Sequence, residues 1–126
     1  MIGAQTIGNA TLIAYDGTPI LSTDPWLGSD DYAYFGSWYM PHEIPENLKN
    51  DIIVSKYIFF SHGHPDHLNP DSLHQFKNNK IILGDHVGKR IFNELKNQGY
   101  KVSILKERIW TELSKNISVM SISTKI

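Results

Sequence analysis

The chain reads as an α/β domain with a mixed sheet, and three observations carry that expectation. Two apolar, strand-forming runs flank Asp16-Gly17. A continuous apolar run, Tyr57-Ile58-Phe59-Phe60, leads directly into His62-Gly63-His64-Pro65-Asp66-His67. Beyond it, strand-like and helix-like periods alternate, which is the pattern of parallel strands joined by crossover helices.

Taken in order, residues from about Ala10 to Tyr15 and from Pro19 to Asp24 predict a hairpin, because Gly17 accepts the positive φ of a tight turn. Residues 25 to 54 carry Pro25, Pro41 and Pro45 and read as a long broken segment, of a length that points to function. Tyr57 to Ser61 has no polar alternation, so it predicts a strand covered on both faces. Asn69 as N-cap, Pro70 at the first helical position, and Leu73 and Phe76 on one face predict a helix over 70–77. Lys80 to Gly84 predicts a buried strand, and Asp85 a cap for a helix striped by Val87, Ile91, Phe92 and Leu95 and stopped at Gly99. Lys101 to Leu105 and Ile117 to Ser123 predict further strands around Ile109-Trp110-Thr111-Glu112-Leu113. There is no internal repeat or low-complexity tract.

The histidine-rich turn carries the chemistry. Neutral imidazole and carboxylate are ligands for a divalent cation, and a catalytic site leaves one position open. His62 and His64, at i and i+2 of extended backbone, point to one side and suit one metal. Asp66 and His67 lie just beyond, placed for a second metal or for the attacking water. The other reading of these residues is a polar loop whose histidines cap the next helix.

With this element the sequence resembles the metallo-β-lactamase-fold hydrolases, whose hallmark is H-x-H-x-D-H after a buried strand. Gly8-Asn9-Ala10-Thr11-Leu12-Ile13, Asp16-Gly17 and Ile20 to Leu27 look like that family's opening hairpin, which ends in an aspartate. The Asp24-Pro25-Trp26-Leu27 form is similar to the branch holding L-ascorbate-6-phosphate lactonase, N-acyl phosphatidylethanolamine phospholipase D and CMP-N-acetylneuraminate hydroxylase. The resemblance implies the N-terminal half of an αββα sandwich, with a mixed sheet and helices on one face, residues 1–126 forming an incomplete domain. It also implies two metal ions per complete domain, held here by His62, His64, Asp66 and His67. Asp66 would orient hydroxide as the catalytic group, and Asp24 would accept a hydrogen bond from a ligand histidine. A strand-terminal Asp before Pro is also a common turn residue.

The resemblance leaves ligands unsupplied. The family's later histidine, bridging aspartate and last histidine have no counterpart, because no Asp or His follows His86. The expectation is therefore a fragment that supplies half of a binuclear zinc site in a hydrolase of an ester, phosphodiester, lactone or amide, inactive alone. Iron and manganese are the other candidate metals. The alternatives are an iron-dependent oxygenase or oxidoreductase on the same scaffold, or a non-catalytic fragment that pairs through its exposed sheet as a homo-oligomer. Zinc is favoured because flavodiiron-type oxidoreductases place glutamate where this chain has His64, and nitrogen-rich ligation suits zinc better than an O₂-reactive iron pair.

Composition bounds the partners. A formal net charge of −1 gives no basis for attracting nucleic acid, so a small-molecule substrate is expected. The absence of cysteine excludes disulfides and thiolate ligands. No run approaches the ~18 apolar residues of a membrane span, and the first residues are no signal peptide, so a cytoplasmic location is expected. His42, His74 and His86 lack ligand spacing and read as surface residues. Tyr32 to Met40 holds five aromatic rings, which either wall the substrate pocket or cover the sheet edge.

Overall fold

The computed structural model describes residues 1–28, 31–40, 42–85 and 89–123. Eight strands and three helices follow in the order β1 (Ile2–Ile7), β2 (Thr11–Asp16), β3 (Thr18–Thr23), α1 (Glu46–Ile53), β4 (Tyr57–Phe60), α2 (Pro70–Leu73), β5 (Lys80–Leu83), α3 (Arg90–Asn97), β6 (Lys101–Ile104), β7 (Thr111–Ser114) and β8 (Ile117–Val119). β1 to β6 lie side by side in chain order in one sheet, and β7 and β8 form a separate hairpin. β1-β2-β3 is an antiparallel meander, whereas β3, β4, β5 and β6 run parallel. The sheet is mixed because the Asp16-Gly17 turn reverses the chain in place, with Gly17 at φ 76, while each later strand returns through a helix.

The apolar run of β4 divides between two cores. Ile58 and Phe60 face Ile13, Tyr15, Ile81 and Leu83 of the sheet, together with Ile52 of α1, Phe76 and Leu95 of α3. All three helical segments therefore pack on one face. Tyr57 and Phe59 turn to the other face, where Leu113, Ile117 and Val119 of the β7–β8 hairpin cover Ile20, Leu21 and Ile82. A fully buried Ile or Phe side chain contributes about 1.5 to 3 kcal/mol, and strict alternation between two apolar surfaces explains why the run shows no polar break.

Four readings of the sequence are corrected. β1, exposed along nearly its whole length, adds a strand before the hairpin. Its residues, Ile-Gly-Ala-Gln-Thr-Ile, lack the alternation that burial of one face would require. The broken segment contains α1, which starts directly after Pro45 and buries Ile52 with Leu48 and Ile53 packed alongside. The helix over 70–77 is a single α turn, capped by the Asn69 side chain accepting from the Ser72 N–H at 2.9 Å, followed by a 3-10 turn from His74 to Phe76. α3 begins at Arg90, behind Lys89 in the left-handed region at φ 51, so Asp85 is not its cap. Ile91, Phe92 and Leu95 do face the core, while Val87 and His86 lie outside the described residues. No described helix is long and apolar enough to cross a membrane.

α1 is fastened to the sheet by polar contacts as well as by packing. The Tyr15 hydroxyl donates to Asp51 Oδ2 at 2.7 Å, the fully buried Ser22 and Ser55 hydroxyls meet at 2.7 Å, and the Asn79 amide donates to the carbonyls of Ile53 and Ser55 at 2.8 and 2.7 Å. Burial, the hydrogen bond to Asp51 and that carboxylate's charge push the Tyr15 phenol from 10.0 up to about 12. The folded state thus favours the neutral phenol, a contribution that is whole below the unfolded value near 10 and disappears as pH rises through about 12. Tyr15→Phe is expected to flatten this alkaline loss, measured as the urea midpoint between about pH 9 and pH 12.

Candidate metal centre

Parallel pairing of β3 with β4, in the register Thr23 with Phe59, delivers Asp24 and Ser61 together at the carboxyl ends of adjacent strands. That edge is where open α/β sheets bind ligands. The Asp24 N–H continues the ladder, donating to the Phe59 carbonyl at 2.7 Å, and the Thr11 hydroxyl donates to the Asp24 carbonyl at 3.1 Å. Asp24 takes φ 41, a left-handed conformation that is rare outside glycine and more costly before proline. The two bonds fix the Asp24 backbone at the edge of the sheet in that conformation.

The Asp24 carboxylate is buried and fully engaged. Its Oδ1 accepts from the Ser61 N–H at 2.7 Å, and its Oδ2 accepts from the Ser61 hydroxyl at 2.6 Å and faces His67 Nδ1 at 2.9 Å. An ionised carboxylate only accepts, so Ser61 spends its single proton on Asp24. The Ser61 oxygen, 2.8 Å from His62 Nδ1, must then accept from His62 Nδ1–H. The same argument gives His67 its proton on Nδ1. One acid therefore fixes both rings with the Nε2 lone pair free, which is the state a cation requires.

The turn brings the imidazoles together. His62 and His64 ring centroids lie 4.6 Å apart, and His62 and His67 centroids 4.1 Å apart. His67 Nε2 is 3.6 Å from Asp66 Oδ2. Helical-type bonds from the His67 and Leu68 N–H groups to the His64 carbonyl close the turn, and the fully buried Asn69 donates to the Pro65 carbonyl at 3.0 Å. At Gly63 a Cβ would stand 3.0 Å from Ile91 Cδ1 of α3, so the tip of that side chain would have to shift by a few tenths of an ångström to admit one. Among the described residues no three ligand-type side chains stand in a closed coordination arrangement. The donors are collected, and final convergence needs side-chain rotation.

Electrostatics favours a cation. Burial, with His67 and His64 nearby, holds the His62 imidazole below its usual value against the opposing pull of Asp24 and Asp66, so it is neutral and able to ligate at neutral pH. Burial pushes Asp66 up, but hydrogen bonds from the Tyr34 hydroxyl and its own backbone, the electrostatic pull of the neighbouring His67 ring and the Asn9 amide outweigh it and keep the acid below the ordinary carboxylate value. Tyr34 donates to Asp66 Oδ1 at 3.1 Å, and Asn9 donates to the Asp66 carbonyl at 3.0 Å and to Oδ2 at 3.4 Å.

The four ligand candidates and Asp24 are thus collected in one place, while His42 and His74 are exposed and His86 lies outside the described residues. Sequence reading missed Ser61 and Asn9, and it named Tyr34 only as one ring of a loop that either walls the substrate pocket or covers the sheet edge. Ser61 carries a signal in hindsight, a hydroxyl directly before the first histidine. Asn9 comes from a remote segment and carries none, and the contact of Tyr34 with Asp66 joins positions 32 residues apart.

No family model matches the chain, and no solved structure matches it. The chain is 30% identical over 110 residues to cytidine monophosphate-N-acetylneuraminic acid hydroxylase of Asterias rubens, covering 82% of this chain and 16% of that protein. It is 26% identical over 103 residues to the hydroxylase of Cricetulus griseus, covering 77% of this chain and 18% of the relative. The same identity and length hold for the Homo sapiens protein named inactive cytidine monophosphate-N-acetylneuraminic acid hydroxylase, of which 20% is covered. The chain spans about a sixth to a fifth of the length of these relatives. Less than a quarter of the chain lies outside each match, so all three matches include His62 to His67.

These relatives overturn the hydrolase expectation, since they are named for adding a hydroxyl group and not for cleavage by water. They lend no support to zinc either. Imidazole serves iron as readily as zinc, so the donor set alone does not choose between the two metals.

At mildly alkaline pH, histidine ¹⁵N shifts should identify both His62 and His67 as Nδ1-protonated. Ser61→Ala should release His62 alone to the other tautomer, and Asp24→Ala should release both rings and cost on the order of 2 to 3 kcal/mol of stability. Unchanged shifts in Ser61→Ala would contradict the assignment.

Proposed function

We propose that this chain carries the metal-binding turn of an oxygenase that hydroxylates a nucleotide-linked sugar acid, with iron as the metal. The observation that carries the reading is the match to hydroxylases across a stretch that includes the histidine turn. The donor set fits such a metal: three clustered imidazoles, two of them with Nε2 free, and one carboxylate held ionised.

In this reading His62, His64 and His67 supply ring nitrogens and Asp66 an oxygen. Iron supplies the redox chemistry that zinc, which has no accessible second oxidation state, lacks. Hydroxylation converts C–H to C–OH with one atom of O₂, while two electrons and two protons from an external reductant carry the other atom away as water. The chain's own residues position and tune. Asp24 and Ser61 keep the two rings oriented, and Tyr34 and Asn9 hold the Asp66 carboxylate in one orientation.

Protein purified without added metal should hold iron in excess of zinc, and His62→Ala and His64→Ala should each weaken metal binding by about 10-fold or more. The metal itself is the readout for a chain that spans about a sixth to a fifth of its relatives' length: zinc bound in preference to iron would sink the proposal.

A further inference from the structure

The aromatic loop is bound to the metal turn and is not spent on the core. Ala33 and Trp38 close it with two backbone bonds of 2.9 and 3.1 Å, and Ala33 and Met40 at its base pack with Trp26 and Ile44. From the far side, the Asn69 amide donates to the Tyr32 carbonyl at 3.0 Å, and the Tyr32 N–H donates to Asp71 Oδ2 at 3.0 Å. The loop is anchored without its outer rings. Phe35 is 112% exposed, Tyr39 65%, Trp38 54% and Tyr32 46%.

The backbone works to keep them out. Tyr34, Phe35 and Gly36 take φ 51, 57 and 84, three successive left-handed residues of which only the glycine adopts that shape freely. The Ser37 N–H and hydroxyl both donate to the Tyr34 carbonyl, at 3.2 and 2.6 Å, and fix the bend. Strain that holds aromatic rings in water is a mark of a binding surface. Trp38 packs edge-on with Tyr34 at 4.9 Å between centroids, and the Tyr34 hydroxyl reaches Asp66 at 3.1 Å. The indole is thus one ring removed from the proposed metal ligands.

We propose that this loop is a stacking platform for the planar base of a nucleotide-linked substrate, with Trp38 as the principal ring. The substrate class rests on the hydroxylase reading above, and the platform rests on the loop's own geometry. Flat conjugated faces match a base, the one planar aromatic part of such a molecule. The phosphate and the sugar carboxylate find no welcome there, because the acids beside the loop are Asp66 and Asp71.

The test uses the full chain carrying Trp110→Phe, which removes the other exposed indole and leaves Trp38 with the buried Trp26. Cytidine 5′-monophosphate should quench the tryptophan emission to saturation, and ribose 5-phosphate, which lacks a base, should not. By calorimetry, Trp38→Ala should weaken nucleotide binding by about tenfold or more, and Trp38→Phe should restore most of it. Absence of nucleotide quenching, equal binding of ribose 5-phosphate, or unchanged affinity in Trp38→Ala would each overturn the platform. Iron content measured on the same preparations separates the two readings. Iron held without nucleotide binding defeats the platform alone, and nucleotide binding by a protein that holds no iron defeats the oxygenase reading alone.

Discussion

A single buried carboxylate organises the site end of this molecule. Asp24 ties the end of β3 to the start of the histidine turn through both the backbone and the hydroxyl of Ser61, and it holds His67 on the same oxygen. Removing an acid from water is costly unless hydrogen bonds compensate it, and here three donors meet one carboxylate. The cost is offset only in this arrangement of strand, turn and ring, so the acid selects the arrangement. The left-handed φ of Asp24 is part of the same constraint, since it lets the chain leave the sheet while the side chain stays behind.

Behind that edge, the sheet provides rigidity through unequal faces. Among the described residues, the helical face is closed by Ile52, Phe76 and Leu95, and the opposite face carries the small β7–β8 hairpin. Next to the hairpin an apolar groove remains open, lined by Leu21, Phe59, Ile82, Leu105 and Val119. The parallel register of β3, β4 and β5 is pinned by the well-packed face, where a slip of one residue would exchange Ile58 and Phe60 for Tyr57 and Phe59. The position of His62 relative to Asp24 is inherited from that register.

The same donors illustrate why ligand type and reaction are separate questions. Imidazole and carboxylate suit a hard-to-borderline cation, and hydrolytic and oxidative uses of such donors differ in the metal's redox capacity and in what lies around it. The surroundings here are a carboxylate held by a phenol and an amide, beside a strained loop of exposed rings. None of these surroundings is encoded in the spacing of the histidines.

By itself the sequence determined what local pattern can determine. The hairpin at Gly17, the buried strand before the histidines, the Asn69 cap and the collection of His62, His64, Asp66 and His67 were all legible, because each follows from neighbours a few residues apart. β1 was illegible because an exposed edge strand needs no alternation, and α1 was hidden behind prolines that in fact precede it. Only the tertiary structure decided the tautomers of His62 and His67 and the approach of Tyr34 and Asn9 to Asp66. Those contacts join segments dozens of residues apart, and their geometry is fixed by strand register and burial, which no short stretch of chain contains.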